Sequence, residues 1–208
     1  EYAAAFKEVK ETGVANSTVR TKNQTDYARF WYEFSEAGWN RIARVVTYDK
    51  ELNLFEAARL FALVDMALAD AYTAGWDAKN HYNFWRPYTA IRNGANDGNN
   101  NTTADAAWEP LMPTPPVQDY PSTHSALGSA AATVLARVLG DNTSFVFYSP
   151  TAVPAFSSRA YNSFLKAAEE NADSRVRAGI HFRFATNAGL ELGKKVGDWT
   201  VNNYLRKL

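Results

Sequence analysis

Between Leu54 and Trp85 the chain has no proline, and Leu60, Phe61, Val64, Leu68, Ala71 and Tyr72 recur at steps of one, three and four. That spacing keeps one face of a 3.6-residue helix apolar. A helix this long needs partners along its whole apolar stripe, so a chain of 208 residues built around it is committed to helix-on-helix packing. Pro87 cannot continue the helix and turns Arg86 away from helical geometry, which sets the expected end.

The flanking segments read the same way. Ala3 to Glu11 are helix formers stopped by Gly13. Thr25 and Asp26 are candidate caps for a second helix through Tyr27, Phe30, Trp31 and Phe34, with Gly38 interrupting it before Ile42, Val45 and Val46. Asn93 to Tyr120, rich in Asn and Pro, reads as a long ordered loop of the kind that often carries function. A helix is expected from Pro121–Ser122 to Gly140, with Leu127, Ala131, Val134, Leu135 and Val138 on its core face. Ser157 to about Ala178 and Asn187 to Leu205 read as helices, and only Ser144 to Tyr148 alternates like a strand. The expected class is all-α, a bundle of about six helices, with residues 1–208 as a single helical catalytic domain.

Composition excludes several chemistries. Lys plus Arg and Asp plus Glu are 22 each, so the zero net charge argues against a broadly basic nucleic-acid binder. There is no Cys, hence no thiolate nucleophile, disulfide framework or Cys-held metal. No apolar run approaches the ~20 residues of a membrane span. The first residue is Glu1 and five Asn-x-Ser/Thr triplets occur, at Asn16, Asn23, Asn100, Asn101 and Asn142. Glu1 in first place suggests a processed piece of a longer precursor, expected to be secreted or periplasmic; the triplets would carry glycans in a secreted eukaryotic chain, but chance occurrence in Asn- and Thr-rich loops is the better reading of them.

Three blocks concentrate chemistry. Lys79 and Arg86 stand seven apart, which on one helix places two cations on a shared face. Pro121, Ser122, Thr123 and His124 fall at a predicted helix N-terminus, where free backbone N–H groups attract anions. Ser174, Arg175, Gly179 and His181 bring a further cation and a further His across a Gly that permits a turn. Read separately, each block fits ordinary caps, solvated cations and packed histidines. Together they supply fixed cations, a hydroxyl, backbone N–H groups and two of the three His, the inventory for holding a tetrahedral oxyanion.

The ordered residues Lys79, Arg86–Pro87, then Pro121–Ser122 and His124, then Ser174–Arg175 and His181 resemble the signature of the vanadium-dependent haloperoxidase and type 2 phosphatidic acid phosphatase superfamily. The text around Trp85 to Arg92 and around Gly179 to Phe184 resembles its soluble, bacterial-type haloperoxidase branch. The resemblance spans roughly residues 20 to 200 and implies a helical bundle of that type, here the C-terminal half. It implies vanadate as cofactor, with phosphate able to occupy the same site. Lys79, Arg86 and Arg175 would bind its oxygens, Ser122 and the Thr123 N–H would donate to others, His124 would be the acid–base group, and His181 would coordinate the metal. Hydrogen peroxide and a halide would be the reactants. Alternatives are a soluble phosphatase acting on a small phosphoester through a phosphohistidine at His181, and a non-catalytic secreted structural protein that keeps the pocket; a homo-oligomer is compatible with either.

Two positions depart from that pattern. Thr123 replaces a Gly, which is expected to narrow the pocket and resist unusual φ angles. Ala185 stands where an Asp would orient the second His, leaving Asn187 or a backbone carbonyl as candidate acceptor. Asp97, Asn99, Asn101, Thr103 and Asp105 alternate like a calcium loop, but Trp108 takes the twelfth position and a polar turn is the better reading. His81 reads as a surface or pocket-rim residue, and the six Trp as core, with Trp85 a candidate wall of the anion pocket.

Overall fold

The computed structural model describes residues 1–206. Among them are eight α-helices and one β-hairpin, so the all-α expectation holds with more helices than the six expected. Helix α1 is Tyr2–Thr12, α2 is Lys22–Phe30, α3 is Ser35–Asp49 and α4 is Leu54–Tyr82. Then come α5 (Pro87–Arg92), a 3-10 turn (Gly94–Asn96), α6 (Thr123–Leu139), strands β1 (Phe145–Tyr148) and β2 (Ser158–Tyr161), α7 (Phe164–Arg177) and α8 (Arg183–Asn203).

Helix α6 is the axis of the molecule. Its residues Ser125 to Leu135 are all buried, and most are Ala, Gly, Ser or Thr. A helix that is buried all round and built from small side chains lets neighbours approach closely on every side. Helices α3, α4, α7 and α8 all pack against it. The closest approach is with α8, where Gly189, Gly193 and Gly197 recur every four residues. A Cβ on Gly193 would lie 2.8 Å from both Ala130 N and Ser129 Cβ. The Ser129 hydroxyl donates to the Leu190 carbonyl at 2.7 Å across the same contact.

Several ends differ from the sequence expectation. The cap of α2 is Thr21, in a capping box with Gln24, and not Thr25 or Asp26. The break before Ile42 comes at Trp31–Phe34 and not at Gly38, which lies inside α3 beside the Glu33 side chain. Helix α4 starts on Asn53, again a capping box, and stops at Asn83, whose φ of 44° is left-handed. Pro87 does not end that helix, which the left-handed Asn83 has already stopped; it opens the first turn of α5. Ser122 caps α6, with Pro121 just outside it. Ser158–Tyr161 is a strand, not helix: it pairs antiparallel with β1, Phe145 facing Tyr161 and Tyr148 facing Ser158. Aromatic rings along β1 reward that pairing, since Phe145 stacks on Tyr161 at 5.4 Å. Helix α8 begins four residues earlier than expected, right after His181–Phe182.

Of the six Trp, Trp31, Trp39 and Trp108 are core, Trp76 and Trp85 are half-buried, and Trp199 is 61% exposed. The Asp97 to Asp105 segment is a polar turn: the Asp97 and Asn99 side chains accept from the N–H groups of Asn99 and Asn101. No cluster of metal-binding side chains and no helix apolar enough to cross a membrane is found among the described residues.

Candidate functional site

Lys79, Arg86, Thr123, His124, Arg175 and His181 line one cavity of about 310 Å³, and Ser122 caps the helix that forms its floor. Trp85 and Asn187 line other cavities, whereas the cations, histidines and first-turn residues of the three blocks all meet here. They do not meet as the spacing suggested. Lys79 is in the last turn of α4, but the left-handed Asn83 ends that helix, and Arg86 lies beyond it in extended backbone. The two cations converge because the chain turns back on itself, not because they share a helix face.

Loop 117–122 anchors both. The Lys79 ammonium donates to the Gln118 carbonyl at 2.5 Å and the Asp119 carbonyl at 3.1 Å. Arg86 Nε donates to the Val117 carbonyl at 2.7 Å, and one Nη1 hydrogen reaches the Ile180 carbonyl at 2.6 Å. Arg175, on the last turn of α7, has a single hydrogen bond, to the Trp31 carbonyl at 3.2 Å, and lies over the Tyr32 ring. Gly179, with φ of 80°, allows the chain after α7 to reverse, so that Arg175 and His181 face the same cavity. A Cβ there would lie 2.8 Å from Pro110 Cβ, so glycine is needed for space as well.

The donors outnumber the acceptors. Lys79 is 1% and Arg175 4% exposed, and neither has a carboxylate within ion-pair distance among the described residues. One Lys79 hydrogen, the Arg86 Nη2 group and most of the Arg175 guanidinium, including its buried Nε, find no acceptor among the described residues. Buried cations without counter-charge are costly. Burial and the facing Arg86 charge push the Arg175 and Lys79 pKa values down from their usual ranges, whereas Asp119 draws Lys79 back up. An oxyanion fits what these residues lack.

The first turn of α6 adds neutral donors. Ser122 Oγ accepts from Ser125 N and Ser125 Oγ, which leaves its own hydrogen free to donate. The Thr123 N–H stands at the first helical position and has no intrahelical acceptor. Thr123 adopts ordinary helical backbone, so the strain expected from replacing Gly does not arise. Its side chain lies over Gly75 of α4, where a Cβ would be 3.6 Å from its Oγ1, and that hydroxyl is buried without a partner.

The ring tautomers follow from their partners. His124 Nε2 lies 2.8 Å from the Trp31 carbonyl, which can only accept, so Nε2 carries the hydrogen and Nδ1 the lone pair. His181 Nε2 lies 2.9 Å from Arg86 Nη1, which can only donate, so there Nε2 is the acceptor. Burial, with Arg175 next to His124 and with Arg86, Lys79 and Arg175 around His181, holds both pKa values well below the imidazole range. Both are neutral at pH 7.

Two contributors have no counterpart in the sequence expectation. One is the Trp31 carbonyl, shared by His124 and Arg175. The other is Asp119, fully buried, with Oδ1 2.8 Å from His181 Nδ1 and 4.0 Å from Arg86 Nη1. Asn187 does not take that place, since it lines a different cavity with Tyr2 and Phe184. Ala185 meets the site through its backbone, accepting from Ser122 N at 2.9 Å. Asp119 left one local trace: it is the only acid between Pro110 and Pro121. His81 is exposed at the surface and lines none of the cavities around the site. The aromatic wall is Trp76 and not Trp85, which lines a neighbouring groove of about 810 Å³ that shares Trp76, Arg86, Pro115 and Val117 with the cavity.

Comparisons with known proteins agree with this fold. Residues 59–208 match the family model of the VCPO second helical-bundle domain. The chain is 29% identical over 238 residues to the vanadium chloroperoxidase of Curvularia inaequalis, an alignment covering 85% of this chain and 38% of that protein. It superimposes on the crystal structure of the first bacterial vanadium-dependent iodoperoxidase with a TM-score of 0.83 and 31% identity, over 97% of this chain and 49% of the other. A holo-type bacterial vanadium-dependent chloroperoxidase shares the fold at 19% identity, with a TM-score of 0.75 over 96% of this chain and 46% of its own. The chain thus spans between about two-fifths and half the length of these relatives. Fold, ordered residues and family match together place the chain in the vanadium haloperoxidase family, as a bearer of its second helical-bundle domain.

Proposed function

We propose that this cavity binds vanadate and that the protein is a vanadate-dependent haloperoxidase, oxidising a halide with hydrogen peroxide. One observation carries the reading: Lys79, Arg86 and Arg175 are buried together with N–H donors that find no acceptor among the described residues, where Asp119 beside Arg86 is the one carboxylate at the cluster. Vanadate, when bound, supplies the Lewis-acid centre that activates peroxide toward the halide.

The chain's own residues do the rest. His181 Nε2 offers its lone pair to the central atom. For that, the Arg86 N–H must shift from the ring nitrogen to an oxygen of the anion. Lys79, Arg86 and Arg175 neutralise charge on the oxygens without reorganising water, since all three are already desolvated. The Ser122 hydroxyl and the Thr123 N–H donate to further oxygens at the positive end of α6. His124 Nδ1 takes a proton from an incoming peroxide and returns it to a leaving oxygen.

The same atoms could hydrolyse a small phosphoester, and the carboxylate at His181 favours keeping that reading as second. Purified protein is assayed for peroxide-dependent halide oxidation, with and without added orthovanadate, and for aryl phosphate hydrolysis. Halide oxidation that requires vanadate supports the proposal. Steady phosphate release blocked by vanadate, with no halide oxidation, replaces it with the phosphatase. Neither activity, with no thermal shift from vanadate or phosphate, points to the structural protein that retains the pocket. The expected location outside the cytoplasm belongs to the same proposal and is tested by fractionating the source cells.

A further inference from the structure

We infer that Asp119 is a positioning residue: it holds His181 with its proton on Nδ1, so that the Nε2 lone pair faces the oxyanion. The inference rests on the oxyanion reading above for its purpose, but not for its geometry. Asp119 Oδ1 and His181 Nδ1 are 2.8 Å apart, too oblique to count as a hydrogen bond as they stand, and among the described residues both atoms are buried without any other hydrogen-bond partner, so a small rotation of the ring or the carboxylate aligns them. An imidazole whose Nε2 accepts from Arg86 must carry its proton on Nδ1, and Asp119 is the one acceptor in reach.

The carboxylate is itself fixed on several sides. Its backbone N–H donates to the Phe84 carbonyl at 2.8 Å, and its carbonyl accepts from Lys79. Its Oδ2 lies 3.5 Å from the Phe182 N–H, which joins it to the residue after His181. An orienting carboxylate is thus delivered by the loop before α6, whereas position 185 on α8 holds Ala. The donor–acceptor pair is the same, reached from another segment of the chain. Metal-binding histidines rely on such partners for ring orientation and basicity.

Charge and orientation make opposite demands, which gives a clean test. Removing a carboxylate from a cluster of cations should, by charge alone, tighten the binding of an anion. Loss of an orienting partner should weaken it by about 10- to 100-fold. Orthovanadate affinity is measured by calorimetry on wild type and Asp119→Ala. Histidine ring resonances are followed by ¹⁵N NMR, where three His make assignment simple. The expected result is a wild-type His181 with a pyrrole-type Nδ1 and a hydrogen-bonded, downfield Nδ1 proton. That proton signal is lost in Asp119→Ala, and vanadate binds 10- to 100-fold more weakly. A wild-type proton on Nε2, a ring signal that survives the substitution, or vanadate bound as tightly as wild type or more so overturns the inference. If Asp119→Ala does not fold, the wild-type spectrum alone decides the tautomer. If wild type fails to bind vanadate, the proposed function falls, while the ring signal and its loss still decide the role of Asp119.

Discussion

Replacing Arg175 with Met separates an anion-binding cation from a structural one. Met keeps an unbranched apolar stem in the buried site but removes the guanidinium. Without an anion, the loss is one hydrogen bond and a contact with the Tyr32 ring, about 1–2.5 kcal/mol in all. Against this stands relief from burying an uncompensated cation facing Arg86, a replacement that is often neutral or stabilising by about 1–4 kcal/mol. The anion-free variant should therefore be as stable as wild type or more so. With phosphate the order reverses. At a phosphate concentration of about 100 times the wild-type Kd, binding stabilises wild type by about 2.7 kcal/mol. Losing one charge-assisted contact of about 2 kcal/mol weakens affinity about thirtyfold, which leaves about 0.9 kcal/mol at the same concentration. At about 2–4 °C per kcal/mol, the phosphate-induced rise in Tm drops from about 5–11 °C to about 2–4 °C. Thermal denaturation of both proteins with and without phosphate measures both quantities. A variant that loses more than about 3 kcal/mol without anion, as when a buried ion pair is broken, yet keeps the full phosphate shift, would refute the reasoning.

Other predictions follow from single contacts. Gly193→Ala drives a Cβ into the backbone of α6 and should cost about 1–3 kcal/mol or more by denaturant unfolding; a neutral result would mean that α8 can slide on α6. His124→Gln isolates one titration. The folded-state pKa of His124 lies below its unfolded value, so the unfolded chain takes the proton first, and wild-type stability relative to the variant falls as pH drops below about 6.5. The expected slope is about 1 kcal/mol per pH unit, read from paired unfolding curves, and a flat difference from pH 7 to 5 would contradict a neutral buried ring. Asn53→Ala removes the cap of α4 and should cost about 1 kcal/mol, without changing phosphate affinity in calorimetry.

Much of the local structure was legible in the residues themselves. Periodicity placed the long helix and the helix after Ser122, and Gly13, Gly140 and Pro87 marked real boundaries, because caps and breakers act over one turn of chain. Errors fell where tertiary contacts overrode local preference. Ser158–Tyr161 became a strand because β1 offered it a partner, and Trp199 stayed in solvent because α8 turns its glycine stripe, not that face, toward α6.

The candidate site divides in the same way. The sequence by itself determined which side chains hold the charge and chemistry, since Lys79, Arg86, Ser122, His124, Arg175 and His181 fall in ordered blocks whose residue types suit one ligand. Only the tertiary structure decided how they face one another. The left-handed turn at Asn83, the reversal at Gly179 and the close packing of α6 bring together atoms from distant segments. The same packing recruits the Trp31 carbonyl and the Asp119 carboxylate, contributors with little or no sequence signature. A backbone oxygen is common to every residue, and a lone acid becomes a partner for His181 only when folding excludes water and every competing acceptor from its side.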